Sequence, residues 1–218
     1  MWKNFLSLLY PSSCLICNRV LHVSENLLCL TCYSDLPKTP LKHSILENST
    51  TTDFSGSLAL FEYNHSGIKK LIHQLKFEGN YKIGQLLAID LGKAILSHLE
   101  CDEIDYIVAV PINSRKRKSR GYNQSLIIAR EVSKIIKVPI LNALKRKKGK
   151  VTQAGKNRYE RWRNVENQFK ISVKCSLNRK HILLIDDVYT SGATIDACAK
   201  VIKKENDVKI SVAVLAIA

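Results

Sequence analysis

Long apolar runs, a targeting segment and internal repeats are missing from this 218-residue sequence. No apolar run reaches the ~18 residues that a membrane-spanning helix needs. The apolar stretch 1–11 lacks the basic start and the small-residue cleavage site of a secretory signal. We therefore expect a globular, cytoplasmic protein with no transmembrane segment. Residues 1–11 are expected to form a short amphipathic helix packed on the protein, with weak contact to a membrane surface as the alternative.

Acidic residues are scarce, and the imbalance is local. The chain has 34 Lys and Arg against 19 Asp and Glu. Segment 111–163 alone holds 17 basic residues, with only Glu131 and Glu160 to oppose them. A solubilising surface usually mixes both signs. The density of positive charge therefore predicts an anionic partner, either a phosphorylated small molecule or a nucleic acid.

The composition divides the chain into three parts. Residues 1–36 are predicted to be a cysteine-rich, zinc-binding knuckle, 37–56 a linker, and 57–218 a larger domain. In the larger domain, strand and helix patterns alternate, which predicts an α/β fold with a mostly parallel sheet flanked by helices. The predicted strands are 57–63, 104–110, 138–141, 169–173, 181–185 and 208–216. The predicted helices are 68–77, 83–99, 123–136 and 193–204, and the predicted long loops are 111–123 and 142–168.

Four of the seven cysteines form two close pairs near the start of the chain. Cys14 and Cys17 are separated by two residues, as are Cys29 and Cys32. Two such turns can present four thiolates to one tetrahedral Zn²⁺, which would be structural because no coordination position stays open. An odd cysteine count without a secretory signal favours a reducing compartment. Reduced thiols or a redox pair remain the alternative.

A second motif follows a buried strand pattern late in the chain. The apolar run 182–185 leads into Asp186 and Asp187, and a turn of hydroxyl-bearing and small residues then opens a helix. That turn consists of Thr190, Ser191, Gly192, Ala193 and Thr194. Free backbone N–H groups at a helix start, together with hydroxyls, hold phosphate. Carboxylates at a strand end accept hydrogen bonds from a ribose diol, directly or through hydrated Mg²⁺. The motif therefore predicts a 5-phosphorylated ribose as ligand, with an exposed turn capped by Thr190 as the alternative.

This run resembles the phosphoribosyl-pyrophosphate (PRPP) signature of type I phosphoribosyltransferases. The resemblance implies that Asp186 and Asp187 contact the ribose hydroxyls in the catalytic site. It implies that residues 190–194 hold the 5-phosphate and that Mg²⁺ accompanies PRPP.

The two basic loops are predicted to lie at the same edge of the sheet. Arg120 and Gly121 are candidates for binding pyrophosphate, because Arg can clamp it bidentately. The remaining candidates could bind DNA or form a hood over the site: Arg115, Lys116, Arg117, Lys118, Gln153, Arg158, Arg161 and Arg163. A solvated run of charge, or a mobile linker in the second loop, is the alternative.

Together these pieces resemble the ComF family of competence-associated, phosphoribosyltransferase-like proteins. The matching segments are the cysteine pairs, 72–79, 120–124, 152–153 with 161–165, and the PRPP motif. The resemblance implies a role in DNA uptake during natural transformation, with single-stranded DNA and a helicase-like motor as partners. Lys76 lies in one matching segment, although a lysine at a helix end is also favoured by the helix dipole.

Three functions stay open at this point. The first is a phosphoribosyltransferase, in which a nucleophile attacks the ribose C1 and pyrophosphate leaves. The second is an adaptor that binds PRPP or nucleotides and DNA without turnover. A phosphoribosyltransferase of nucleotide metabolism is weaker, because neither an N-terminal catalytic Cys nor a base-binding hood is evident.

Overall fold

The computed structural model describes residues 11–39, 54–147, 168–172, 176–204 and 206–218. Its strands are β1 (Gly56–Glu62), β2 (Tyr106–Ala109), β3 (Leu144–Arg146), β4 (Phe169–Ile171), β5 (Lys180–Tyr189) and β6 (Val208–Ile217). Its α-helices are α1 (Leu30–Ser34), α2 (Ser66–Phe77), α3 (Tyr81–His98), α4 (Ser114–Arg120), α5 (Gln124–Ile136) and α6 (Ala193–Lys203).

Four of the strands form one parallel sheet in the order β1-β6-β5-β2. The two central strands are mostly buried and carry apolar runs at 182–185 and 212–217, as expected where helices cover both faces of a parallel sheet. The carboxyl ends of all four strands therefore meet at one edge. Strands β3 and β4 form a separate antiparallel pair.

Two apolar layers enclose this sheet. One side packs against α2, α3 and α5, and its core also includes Cys14, Leu28, Cys29 and Leu36 from the cysteine-rich segment. The other side packs against α6 and the β3–β4 pair. These layers confirm the predicted α/β class, with a parallel sheet flanked by helices.

The structure differs from the sequence prediction at three elements near the sheet edge. The loop predicted at 111–123 contains α4, which Asn113 caps at its start by accepting a hydrogen bond from the backbone N–H of Arg115 at 2.9 Å. Strand β5 continues through the two carboxylates to Tyr189, because its last residues still pair with β6. The predicted strand 138–141 is reduced to a single parallel bridge between Ile140 and Ile107.

Within the described residues, no helix is both long and apolar enough to span a membrane. The predicted amphipathic segment at residues 1–11 lies almost wholly outside the described part of the chain, as does most of the predicted linker.

Candidate functional site

Two adjacent carboxylates, Asp186 and Asp187, lie near the carboxyl end of β5. Asp186 Oδ1 accepts hydrogen bonds from Ser125 Oγ at 2.7 Å and from the backbone N–H of Asp187 at 2.9 Å. Asp187 Oδ1 lies 3.1 Å from the ammonium nitrogen of Lys76. The first turn of α5 and the last turn of α2 therefore hold the pair in place.

The environment of Asp186 favours its neutral form. Burial, and then the charge of the adjacent Asp187, raise the pKa of Asp186 to about 7, although the hydrogen bond from Ser125 opposes this. Near neutral pH this carboxyl group can thus either donate or accept a hydrogen bond. Both modes suit a ligand hydroxyl.

The turn after β5 is shaped by a close contact between Gly192 and Tyr189. Gly192 is the N-cap of α6, with φ +74° in the left-handed region. A Cβ at this position would lie 2.8 Å from Cζ of Tyr189, whose ring is buried beneath the turn. Only glycine meets both requirements, since other residues are strained at this φ and would collide with the ring. Glycine at this position therefore keeps the turn open, and the backbone N–H groups of the turn lead into α6.

A small cavity of about 30 Å³ lies inside this turn, lined by Asp186 and by every residue of the predicted phosphate loop, Thr190 to Thr194. Thr190 and Ser191 are exposed, so their hydroxyls are accessible. The structure thus brings one member of the acidic pair and the hydroxyl-bearing turn around a single space. Such a space can receive a phosphate on the helix N-terminus and a hydroxyl on the carboxylate.

Arg120 and Gly121 end α4 close to the last turn of α2. The guanidinium of Arg120 lies 5.0 Å from the ring centroid of Phe77 and donates to Gln124 Oε1 at 3.2 Å. Gly121 has φ +81° and open space around its Cα, so the turn needs glycine for its conformation alone. Tyr122 Oη donates to the carbonyl of Leu75 at 2.6 Å, which docks this turn against α2.

The four basic residues predicted to bind DNA, Arg115, Lys116, Arg117 and Lys118, are all exposed on α4. Burial, followed by the charges of Arg120, Arg146 and Lys76, lowers the pKa of Lys116, while Asp187 opposes this. Lys116 is exposed as well, but it lies near enough to the acidic pair and its cations for their charges to act on it.

A larger cleft of about 1090 Å³ opens beside the end of β2. Helices α4 and α5 line one side and β3 the other, and the basic residues of its lining are Arg117, Arg130, Lys145 and Arg146. No acidic residue lines the described part of this cleft. A groove with that lining suits an extended anion. The other candidates of the second loop, Gln153, Arg158, Arg161 and Arg163, lie outside the described residues.

The four paired cysteines converge, with all four sulfur atoms within 4.8 Å of one another. Cys17 Sγ lies 3.8 Å from Cys29 Sγ. A tetrahedral zinc with Zn–S bonds of about 2.3 Å requires sulfurs about 3.8 Å apart. Cys29 also caps α1, where its sulfur accepts the N–H of Cys32 at 3.4 Å. The geometry fits a structural zinc.

The cysteines of the cluster differ in how readily they ionise. Burial opposes ionisation of Cys14, but hydrogen bonds within the cluster outweigh it and lower its pKa to about 6. Burial and the surrounding sulfurs raise the pKa of Cys32 to about 12. One thiol of the cluster therefore ionises readily, whereas Cys32 resists ionisation.

Comparison with curated proteins finds relatives over most of the chain. It is 27% identical over 207 residues to competence protein F of Haemophilus influenzae, covering 88% of this chain and 90% of that protein. It is 26% identical over 214 residues to the DNA utilization protein YhgH of Escherichia coli O157:H7, covering 91% and 87%. Competence protein ComFC of Streptococcus pneumoniae is 29% identical over 146 residues, covering 67% and 61%. The chain is a homologue of the competence F proteins. The resemblance drawn from its motifs is confirmed.

No family model matches the sequence. Among solved structures, the purine phosphoribosyltransferase of Pyrococcus horikoshii is 19% identical, with a TM-score of 0.39 over 61% of this chain and 73% of that one. A hypoxanthine phosphoribosyltransferase of Staphylococcus aureus is 13% identical, with a TM-score of 0.35 over 59% and 62%.

Three residues at the site were not among the sequence-predicted binding residues. Lys76 pairs with Asp187, Ser125 with Asp186, and Arg146 lies near enough to Asp186 for their charges to interact. The sequence motif around Lys76 could have identified it as a site residue. No sequence motif indicated Ser125 or Arg146, because their roles depend on how α5 and β3 pack against the sheet edge.

Proposed function

We propose that this protein is a cytoplasmic, PRPP-binding protein of the phosphoribosyltransferase type that acts in DNA uptake through single-stranded DNA. The observation that carries the proposal is the cavity shared by Asp186 and the Thr190–Thr194 turn. The names of its relatives, which refer to competence and DNA utilization, support the biological role. A helicase-like motor is the proposed partner.

The chemistry follows from the three parts of the ligand. The 5-phosphate would bind the N–H groups and hydroxyls that open α6. The ribose diol would bind Asp186 and Asp187, and the diphosphate would extend toward Arg120 and Lys76. Mg²⁺ would accompany the ligand on its diphosphate oxygens, where it neutralises charge. If transfer occurs, a nucleophile attacks C1, the C1–oxygen bond breaks and diphosphate leaves. Catalysis then rests on positioning and on charge stabilisation.

The proposed DNA surface is α4 together with the cleft beside it. The exposed side chains of Arg115, Arg117 and Lys118 lie on α4, and the cleft contributes Arg130 and Lys145. Binding to a single strand should weaken with salt, at a slope of about −0.7 per phosphate neutralised. Charge reversal at the three α4 residues should flatten that slope and leave PRPP binding intact. An unchanged slope would contradict this surface.

A bound structural zinc is proposed for the cysteine cluster. Cys29→Ser should lower the zinc content and loosen residues 11–39, because metal binding and local folding are coupled. Cys101→Ser, which changes a cysteine outside the cluster, serves as the matched control. Elemental analysis of protein purified without chelators measures the metal directly, and zinc-free wild type would end this proposal.

Turnover is tested by PRPP-dependent diphosphate release, measured with and without single-stranded DNA. Release that requires Asp186 and Asp187 supports the transferase. The charge density of the cleft favours a second candidate, an adaptor that binds PRPP and DNA without turnover. Tight DNA binding with no release under any condition would favour that adaptor.

A further inference from the structure

The acidic pair is a poor site for a protein-bound divalent cation. Mg²⁺ prefers carboxylate and water oxygens in near-ideal octahedral geometry. Asp187 Oδ1 already has the ammonium of Lys76 at 3.1 Å, and Asp186 Oδ1 already accepts two hydrogen bonds. The donor set at the end of β5 therefore does not fit a resident Mg²⁺.

We propose that Lys76 is a ligand-binding residue and the resident counter-ion of the acidic pair, so that the site binds a phosphoribosyl diphosphate with little dependence on a divalent cation. This inference rests on the proposed PRPP site and assigns part of its chemistry to a residue outside the signature. The ammonium of Lys76 occupies the position beside Asp187 that a bridging cation would otherwise take.

The position of Lys76 is fixed from both ends of α2. Residues Leu71, Ile72 and Leu75 are buried in the core, and the carbonyl of Leu75 accepts the hydrogen bond from Tyr122. At the other end, Lys70 Nζ donates to the carbonyl of Ile16 at 2.8 Å. The ion pair itself is mostly enclosed, with 22% of the Lys76 side chain and 12% of the Asp187 side chain exposed. A lysine held this way loses little conformational freedom when a ligand binds.

The charges around Lys76 indicate what it would bind besides Asp187. Lys116, Arg120 and Arg146 approach the same edge, and their mutual repulsion lowers the pKa of Lys116 after the effect of burial. The two carboxyl groups of the acidic pair cannot compensate four cations. A diphosphate group carries several negative charges and would relieve that repulsion. A purely structural ion pair would need none of these additional cations.

The test compares PRPP affinity in excess Mg²⁺ and in EDTA by calorimetric titration of the full chain. The variants are Lys76→Gln, Lys76→Arg and, as the matched control, Lys69→Gln, which removes an exposed charge from the same helix. The PRPP affinities of wild type, K76R and K69Q should each differ by less than about threefold between excess Mg²⁺ and EDTA. The PRPP affinity of K76Q should fall about tenfold or more in EDTA, since a charge-assisted contact is worth roughly 1.5–3 kcal/mol. Added Mg²⁺ should restore part of that loss.

The outcomes separate this inference from the proposed function. Equal Mg²⁺ dependence in wild type and K76Q would overturn the inference and leave PRPP binding standing. Thermal denaturation without ligand identifies a merely structural role, in which K76Q lowers the melting temperature and leaves the Mg²⁺ dependence unchanged. If K76Q fails to fold, the wild-type titrations alone test the inference. A strong requirement of wild type for Mg²⁺ in PRPP binding would then overturn it. Wild type that binds no PRPP in either condition overturns the proposed function and the inference with it.

Discussion

The two ends of β5 both carry charged and polar groups, but these groups are arranged differently. At the amino end, Lys180 pairs with Asp105 at 2.8 Å, and 42% and 30% of these side chains are exposed. His181 Nε2 lies 2.8 Å from Ser211 Oγ in a buried contact. At the carboxyl end, two carboxylates stand side by side, and among the described residues only Asp187 has a cation in direct contact.

The difference shows that charge density does not identify the functional end. The amino end pairs its ions at the surface, where they stabilise weakly, and the buried Nδ1 of His181 has no hydrogen-bond partner among the described residues. The carboxyl end holds two groups in unfavourable environments. The pKa of the Asp186 carboxyl is raised to about 7, and the buried hydroxyl of Tyr189 has no partner among the described residues. Perturbed groups of this kind are concentrated at binding sites.

The largest expected effect is on the pH dependence of stability. The folded pKa of Asp186, about 7, exceeds the usual value of 3.8 for an aspartate, so the folded state retains a proton that the unfolded state releases. Stability is therefore lost as pH rises from about 4 to 7, by at most on the order of 4 kcal/mol. Asp186→Asn should remove this loss and raise the melting temperature at pH 8 but not at pH 4. If the melting temperatures of wild type and Asp186→Asn changed with pH in the same way, this expectation would be refuted.

The amino end of β5 should respond with the opposite sign. Burial lowers the pKa of His181, so the unfolded state takes up a proton that the folded state resists. Stability is present above the unfolded pKa of about 6.5 and is lost as pH falls below it. His181→Gln should reduce that acid sensitivity. If both variants changed the pH dependence in the same direction, the contrast between the two ends would fail.

The third prediction compares the two left-handed residues on either side of β5. Gly192→Ala should destabilise the fold by about 2 to 3 kcal/mol, because backbone strain and a collision with Tyr189 add together. Arg179, with φ +58°, is exposed before the strand and already accommodates a side chain. Arg179→Gly should therefore change stability by less than about 1 kcal/mol, since relief of strain offsets the added unfolded-state entropy. Urea denaturation of both variants measures the difference.

The smallest expected effect separates the two ion pairs. Asp105→Asn should cost at most about 1 kcal/mol, because its pair with Lys180 is partly exposed. Asp187→Asn should cost more, because Lys76 would be left partly buried beside a neutral group. Chemical denaturation at pH 7 and two salt concentrations checks this order, and D105N alone should become less costly as salt rises. A larger cost for D105N would reverse the comparison.

Much of this fold could be predicted from the sequence. Apolar runs around Ile107 and Leu184 predicted the buried strands, and helical spacing predicted α2, α3, α5 and α6. The two cysteine pairs predicted a cluster, because their ligands are close in sequence. The Thr190–Thr194 turn was predictable for the same reason: its chemistry is local.

What could not be predicted depends on tertiary contact. Lys76 and Asp187 are far apart in sequence, and only the packing of α2 against the sheet edge brings them together. Helix α4 was predicted as a loop because its run of basic residues has no apolar face. Its ends are set by the Asn113 cap and by Gly121 rather than by periodicity.

The central claim is that the carboxyl end of β5 binds PRPP through its acidic pair. Calorimetric titration of PRPP into wild type, the Asp186→Asn/Asp187→Asn double variant and Asp105→Asn tests it directly, with Mg²⁺ present in all three. Wild type and D105N should bind with the same affinity, and the double variant should show no binding although it remains folded. Binding of PRPP to the double variant with wild-type affinity would contradict the claim.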